Sequence, residues 1–300
     1  VQEALAMAGP TLVHDSRSQL WLRRAKVLAH QGLRLLDHAR HPHDFPRPLL
    51  AHGEFPHVHA RRDLPLLRAD PNAQPEFEEG KRHNLQLAAP AFDGLLLGPL
   101  RPLSFWRTLG RVTEARGFRH GMELRGGCIV PALGGGLCLL SNALFEVAVR
   151  LGWRIDERHG HTLEAVPPPA HLPWGLDATV FWPYVDLRVT PPAEVRLHVA
   201  VVADRLVLEV RGREPLTVQV DLQAVDDVTA LEGTDLAGVQ ERVRRNRLVR
   251  KITQGQQVRE DVVAVNRKRL LHDHEQTRNC LTCGELACHA RVTLPARARP

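Results

Sequence analysis

Lysine is scarce in this chain: four of its 40 basic residues are Lys and the remainder are Arg. Aromatic residues make up 5%, with a single Tyr. Base stacking therefore has little to draw on, and the formal charge of +6 is scattered rather than gathered, so no nucleic-acid partner is expected. Long apolar runs are missing too. No stretch approaches the roughly 20 apolar residues that a membrane helix needs, so no membrane span is expected. The segment Val1 to Pro10 has neither a basic start nor an unbroken apolar run, and does not read as a secretory leader. On that ground the chain is expected in the cytoplasm. Cysteine occurs five times, and Cys280, Cys283 and Cys288 crowd the C-terminal end.

The 300 residues, 43% of them hydrophobic, suffice for one good core and a second small one. The most telling stretch is Gly134-Gly135-Gly136-Leu137-Cys138. Behind it Leu140, Ala143, Leu144, Val147, Ala148 and Leu151 recur at helical spacing. Cys138 is thus expected in the first turn of a helix, where free amides and the helix dipole favour a thiolate. Gly134, Gly135 and Gly136 would let a substrate approach the backbone closely. Farther on come Arg158-His159-Gly160-His161 and then Gly175-Leu176-Asp177. A thiol nucleophile needs a base and a carboxylate to orient it, and cysteine, histidine and aspartate follow in that order. The residues alone leave a second reading open, in which Cys138 is a small core side chain.

Elsewhere the pattern predicts a helix over Ser18 to Arg40, with Leu20, Leu22, Val27, Leu28, Leu33 and Leu36 as its apolar face. The His- and Pro-rich residues 44–80 read as extended, irregular structure, and the clustered His38, His41 and His43 as a surface loop rather than a metal site. A helix is expected over Lys81 to Phe92. Strands are expected at Leu95 to Leu97, Leu103 to Phe105, Thr179 to Trp182 and Val185 to Val189, with Cys128 in an apolar strand. A hairpin is expected over Glu194 to Val210, with later strands at Thr217 to Val220, Arg242 to Ile252 and Val258 to Val265. The run Arg242 to Arg247, with Arg250 and Lys251, reads as a solvated strand face. These elements predict an α+β fold, in which a Cys-bearing helix packs on an antiparallel sheet and a β-rich half follows. By analogy the layout is papain- or transglutaminase-like. The expected division is 1–80 as a helical and irregular extension, 81–190 as the core, 191–270 as a β-rich extension and 271–300 as a Cys-rich tail.

Cys280 and Cys283 have the spacing with which two thiolates grip one ion, Cys288 supplies a third ligand, and the fourth is open among His289, His272, His274 and a ligand from elsewhere in the chain. Zinc is the first expectation for this tail, an iron–sulfur cluster the lesser one, and a metal-free tail the remaining reading.

Several segments in order resemble the VanW family: Arg82-His83-Asn84-Leu85, Leu103-Ser104-Phe105-Trp106-Arg107, Arg116 to Gly121, Gly134 to Cys138, Leu140-Ser141-Asn142, Glu157 to His161 and Gly175 to Thr179. The likeness covers about residues 80–190 closely. That family is known from glycopeptide-resistance gene clusters and cell-envelope proteins, and some members are linked to L,D-transpeptidase-type chemistry on peptidoglycan. The resemblance implies Cys138 as acyl-accepting thiol, His161 (or His159) as base, and Asp177 as the orienting acid. It implies binding roles for Asn84, Gly134, Gly135, Gly136, Ser141, Arg158 and His159, and a peptidoglycan-type peptide as partner. Leu139 stands where family members usually carry Gln. Two functions follow as expectations: a thiol acyltransferase or peptidase, or a non-catalytic accessory protein of cell-wall metabolism or glycopeptide resistance.

Overall fold

A computed structural model describes residues 17–40, 49–50, 52–67, 75–125, 128–164, 172–233, 240–270 and 278–279. In chain order, helix α1 (Arg17–Arg40) precedes strands β1 (Leu49–Leu50) and β2 (His57–Pro65) and helix α2 (Pro75–Ala88). A 3-10 turn at Ala89–Ala91 leads to β3 (Leu95–Leu97), β4 (Leu103–Ser104), α3 (Phe105–Leu109), β5 (His120–Arg125) and β6 (Cys128–Leu133). Helix α4 (Cys138–Arg150) is followed by β7 (Arg154–Glu157), β8 (Leu163–Glu164) and β9 (Arg188–Thr190). Then come β10 (Val195–Val202), β11 (Arg205–Gly212), β12 (Val218–Glu232), β13 (Glu241–Gln254), β14 (Gln257–Leu270) and β15 (Arg278–Asn279).

The fold is α+β with strand predominant. A five-stranded antiparallel sheet runs β1-β3-β10-β11-β2, and a long sheet runs β12-β13-β14-β8. Two three-stranded sheets, β15-β6-β5 and β4-β9-β7, complete it. Pairing is antiparallel except where β8 joins β14 and β15 joins β6. Among the described residues no helix is long and apolar enough to cross a membrane.

Helix α4 sits in the core, with Leu140, Ala143, Leu144, Val147 and Ala148 buried as their spacing dictates. Each large side chain so buried stabilises by roughly 1.5–3 kcal/mol. Phe92, Phe105 and Trp106 extend this core through ring contacts, at 5.1 and 5.0 Å between centroids. Glu146 is buried on the same helix and is matched by Arg62 of β2 at 3.0 Å and Arg150 at 2.8 Å. The hairpin of β10 and β11 forms where alternation predicts it. Its turn places Ala203 and Asp204 at positive φ, the twist that suits a two-residue connection.

Several expectations are corrected. Residues 57–65, read as irregular, form β2 and pair with β11, with Pro65 at the strand's end where its missing N–H is tolerated. The helix expected at Lys81 starts at Pro75, with Glu76 and Glu78 in its first turn favoured by the helix dipole. Phe105 opens α3 instead of ending a strand, because the Ser104 hydroxyl accepts from the Arg107 N–H and caps the helix. Residues 179–182 form no strand; apart from the bridge between Phe181 and Val185, their amides turn to other partners described below. The strand expected over Thr217 to Val220 runs on to Glu232. Helix α1 forms as expected, yet Leu28, Leu33 and Leu36 of its apolar face are exposed. It docks by polar groups instead: Arg34 binds Glu157 at 2.7 Å and the Tyr184 carbonyl, and His30 stacks on Tyr184. The Arg run of β13 is largely a surface ladder paired to Asp226, Asp227 and Glu232. Arg250 departs from it, being 1% exposed and bound to Asp261 and to the Val149 carbonyl at the end of α4.

Candidate functional site

The turn before α4 is set by backbone contact. A Cβ at Gly135 would lie 2.3 Å from the Gly121 carbonyl carbon of β5. Gly134 and Gly136 take positive φ, and a Cβ at Gly136 would strike Lys81 of α2 at 2.4 Å. The expected room for a substrate at Gly135 and Gly136 is therefore filled by the protein's own strand and helix. Asn84 closes this packing. Fully buried, it donates to the carbonyls of Arg119 (2.9 Å) and Gly135 (3.0 Å) and accepts the Arg119 N–H (2.9 Å). Its polar capacity is spent on the scaffold. Ser141, equally buried, donates to the Ala178 carbonyl at 2.7 Å and ties α4 to the segment opposite.

That segment, 176–180, faces the thiol. The Asn142 side chain accepts the Ala178 N–H at 2.8 Å, and the Thr179 N–H goes to the His159 carbonyl at 2.8 Å. These bonds explain why the segment is not a strand: its amides serve α4 and the His159 loop. They leave the Thr179 hydroxyl 3.8 Å from Cys138 Sγ, with the Val180 amide also bonded to the sulfur.

Cys138 begins α4 and is half-buried. His161, in the loop before β8, hydrogen-bonds the thiol, and its Nδ1 meets Asp177 Oδ2. The same carboxylate oxygen accepts the His161 backbone N–H at 3.0 Å. His161 and Asp177 both lie on loops. His159 turns away, half exposed, to Glu157 at 3.1 Å. The sequence left two histidines open as partner to the thiol, and the geometry brings His161 to it.

The electrostatics follow from this packing. Burial pushes the Cys138 thiol up, but the hydrogen bond and charge of His161, with the Val180 amide and Thr179 hydroxyl, outweigh it and hold the thiol below its ordinary range. Burial alone would lower His161; hydrogen bonds to Asp177 and Cys138 instead raise it to about 9. Burial likewise opposes ionisation of Asp177, and His161, Lys268 and Arg158 together hold its carboxyl well below the carboxylate range. Both shifts act in the direction of a thiolate beside an imidazolium.

Asp177 is held from two further directions. Arg158 reaches Oδ1 at 3.2 Å while binding the Asp177 carbonyl (2.7 Å), the Gly175 carbonyl (2.9 Å) and Asn266 Oδ1 (2.8 Å). Lys268 of β14 donates to Asp177 Oδ1 at 2.8 Å. Asn266 in turn donates to Asn246, which donates to the Trp174 carbonyl, each at 2.8 Å. Sequence reasoning missed Lys268, Asn266 and Asn246. One signal was present: asparagine is depleted in strands, and here two occur within strand patterns.

Among the described residues no group of three or more His, Cys, Asp or Glu is placed to hold a metal. The expected ligands Cys280, Cys283, Cys288 and His289 lie outside the described residues, as do the alternatives His272 and His274 and the loop histidines His41 and His43; the side chains of His38 and Cys128 are likewise outside the description.

Comparison with known proteins matches residues 80–211 to the family described as VanW like protein. The chain is 32% identical over 129 residues to "Vancomycin B-type resistance protein VanW" of Enterococcus faecalis, covering 43% of this chain and 47% of that protein. It is 34% identical over 110 residues to "Uncharacterized protein YoaR" of Bacillus subtilis, covering 37% of this chain and 35% of that one. The chain thus spans less than half the length of either relative. No solved structure matches it. Cys138, His161 and Asp177 all fall inside the matched segment, and over residues 80–211 this chain is similar to the family described as VanW like protein.

Proposed function

We propose that the protein is a thiol-dependent acyltransferase or peptidase acting on peptidoglycan-type peptides through Cys138, His161 and Asp177. One observation carries the reading: the thiol at the head of α4 is bonded to an imidazole whose other nitrogen is held by the largely buried Asp177 carboxylate. Cysteine on a core helix, with histidine and aspartate brought to it from facing segments, is also the layout of papain- and transglutaminase-like proteins, which supports the chemistry by analogy. The similarity to a protein named for vancomycin resistance supports the substrate class.

In this mechanism the Cys138 thiolate attacks an acyl carbonyl carbon. A C–S bond forms and the carbonyl π pair moves to oxygen. The donors nearest the sulfur are the Thr179 hydroxyl and the Val180 amide, joined by the Cys138 amide, which lies in the first helical turn where no intrahelical acceptor exists. They would receive the oxyanion. As the C–N bond breaks, the His161 imidazolium passes its proton to the departing amine, leaving an acyl thioester. An incoming amine or water then gives a proton to His161 and attacks the thioester, which releases Cys138 as thiolate. Leu139, at the position where family members usually carry Gln, packs on the core and takes no part.

The test is intact-protein mass spectrometry after incubation with peptidoglycan stem peptides. An acyl adduct on Cys138, formed with loss of the leaving amino acid and absent in Cys138→Ala, is the expected result. Saturable peptide binding without any adduct, together with an ordinary thiol reactivity, would replace this reading with the accessory-protein one. Zinc held by Cys280, Cys283, Cys288 and His289 is a separate proposal, supported by spacing alone. Metal analysis of the purified chain beside a Cys280→Ser variant tests it, and equal zinc content in the two would end it.

A further inference from the structure

We infer that Lys268 is a positioning residue of this site, reaching from β14, outside the family-matched segment, to set the aim and charge of Asp177. The inference rests on the thiol chemistry proposed above. Lys268 is 6% exposed, and its ammonium lies 2.8 Å from Asp177 Oδ1 and 5.1 Å from the centre of the Trp174 ring. A buried ammonium is costly unless paired, so a Lys at this depth has a carboxylate to serve.

The Asp177 carboxylate is fully used. Oδ2 takes the two donors of His161, and Oδ1 takes Arg158 and Lys268. The two cations are not equivalent. Arg158 spends most of its fork on the carbonyls of Gly175 and Asp177 and on Asn266, and its contact with the carboxylate is the longer, 3.2 Å. It shapes the loop. Lys268 gives its charge to the carboxylate itself.

The charged groups around Asp177 are Cys138 from α4, His161 and Arg158 from the loop after β7, and Lys268 from β14. Beyond Lys268, the Trp174 ring also carries Arg244 of β13, which is committed to Asp227, and its indole N–H donates to Glu164 of β8. Removing Lys268 takes a cation from the carboxylate that holds His161 and leaves Oδ1 to the longer Arg158 contact alone. Either effect makes the thiolate harder to form.

The experiment is the pH dependence of Cys138 alkylation in the full chain, with Lys268→Met, Lys268→Gln, Lys268→Arg and Arg244→Gln beside the parent. Lys268→Met is expected to move the acid limb up by about half to one pH unit, and Lys268→Arg to return it to within about 0.2 of the parent. Arg244→Gln, which touches no atom of the triad, should leave the limb in place. If the Met variant does not fold, Lys268→Gln, which keeps a donor for Oδ1 without the charge, gives the same reading. A folded Met or Gln variant with an unmoved limb overturns the inference while leaving the thiol chemistry intact. A parent whose limb sits at the ordinary thiol value, about 8.5, overturns both.

Discussion

On one side of Cys138, the turn of Gly134, Gly135 and Gly136 is fixed by contact: backbone against the backbone of β5, and backbone against the side chain of Lys81. On the other, Asp177 and His161 are fixed by charge and hydrogen bonds that arrive from the loop after β7 and from β14. The thiol is placed by shape and its partners by electrostatics. Contact is unforgiving but insensitive to pH, whereas the charged side tolerates small changes of volume and responds to every proton. Damage to the first should appear as lost fold, and damage to the second as lost reactivity in a folded chain.

Gly135→Ala is the sharpest way to break that contrast. Its added methyl meets the backbone of Gly121 at 2.3 Å with no flexible neighbour to yield, so a loss of about 3 kcal/mol or more is expected in denaturant unfolding. His161→Ala should do the reverse. The folded fraction should hold, while Cys138 alkylation at pH 6 falls roughly tenfold or more as the thiol loses the imidazole that offsets its burial. If His161→Ala unfolds the chain, the division between shape and charge is wrong.

Asn84→Ala comes next, since it leaves the Gly135 and Arg119 carbonyls and the Arg119 N–H without their partner. About 1–3 kcal/mol of stability should be lost in thermal or denaturant unfolding, with the alkylation profile of the folded fraction unchanged. The pH dependence is gentler. His161 is raised from 6.5 to about 9, so its contribution to stability is fully present below 6.5 and is lost as pH rises through about 9. Asp177 is depressed, so its contribution is present above the ordinary 3.8 and lost as pH falls below that value. A melting-temperature profile should form a plateau between these limits, and Asp177→Asn should flatten both shoulders. Smallest of all is His159→Ala. Turned toward Glu157 and half exposed, His159 should leave alkylation within about twofold of the parent.

Much of this site is local in sequence, and that part was legible. A glycine run before an amphipathic segment signals a helix start, and α4 begins at Cys138 as its spacing requires. His161 and Asp177 were readable as candidates because they follow Cys138 in order at the edges of elements the spacing predicts, although their facing one another is a tertiary fact. Lys268 and Asn266 were not legible. They stand 91 and 108 residues from their partners Asp177 and Arg158, and no periodicity links such positions. β2 was hidden for a different reason: its histidines, arginines and prolines argue for a loop, and only pairing with β11 makes it a strand. Leu28, Leu33 and Leu36 mark a correctly read helix on which these apolar residues stay exposed. The loop it meets, around Trp182 and Tyr184, offers carbonyls and an aromatic ring.

The bond from Lys268 to Asp177 also bears on the order of synthesis. A ribosome delivers Cys138 and its helix early, then His161 and Asp177, and Lys268 only after three long strands have begun to emerge. Until β14 is in place, the carboxylate that steadies the imidazole lacks one of its two cations. On the proposed role of Lys268, the nascent chain carries Cys138 in an unfinished setting, and the thiolate reaches full strength only when β14 docks. A thiol activated in this way would stay subdued while the chain is still being made.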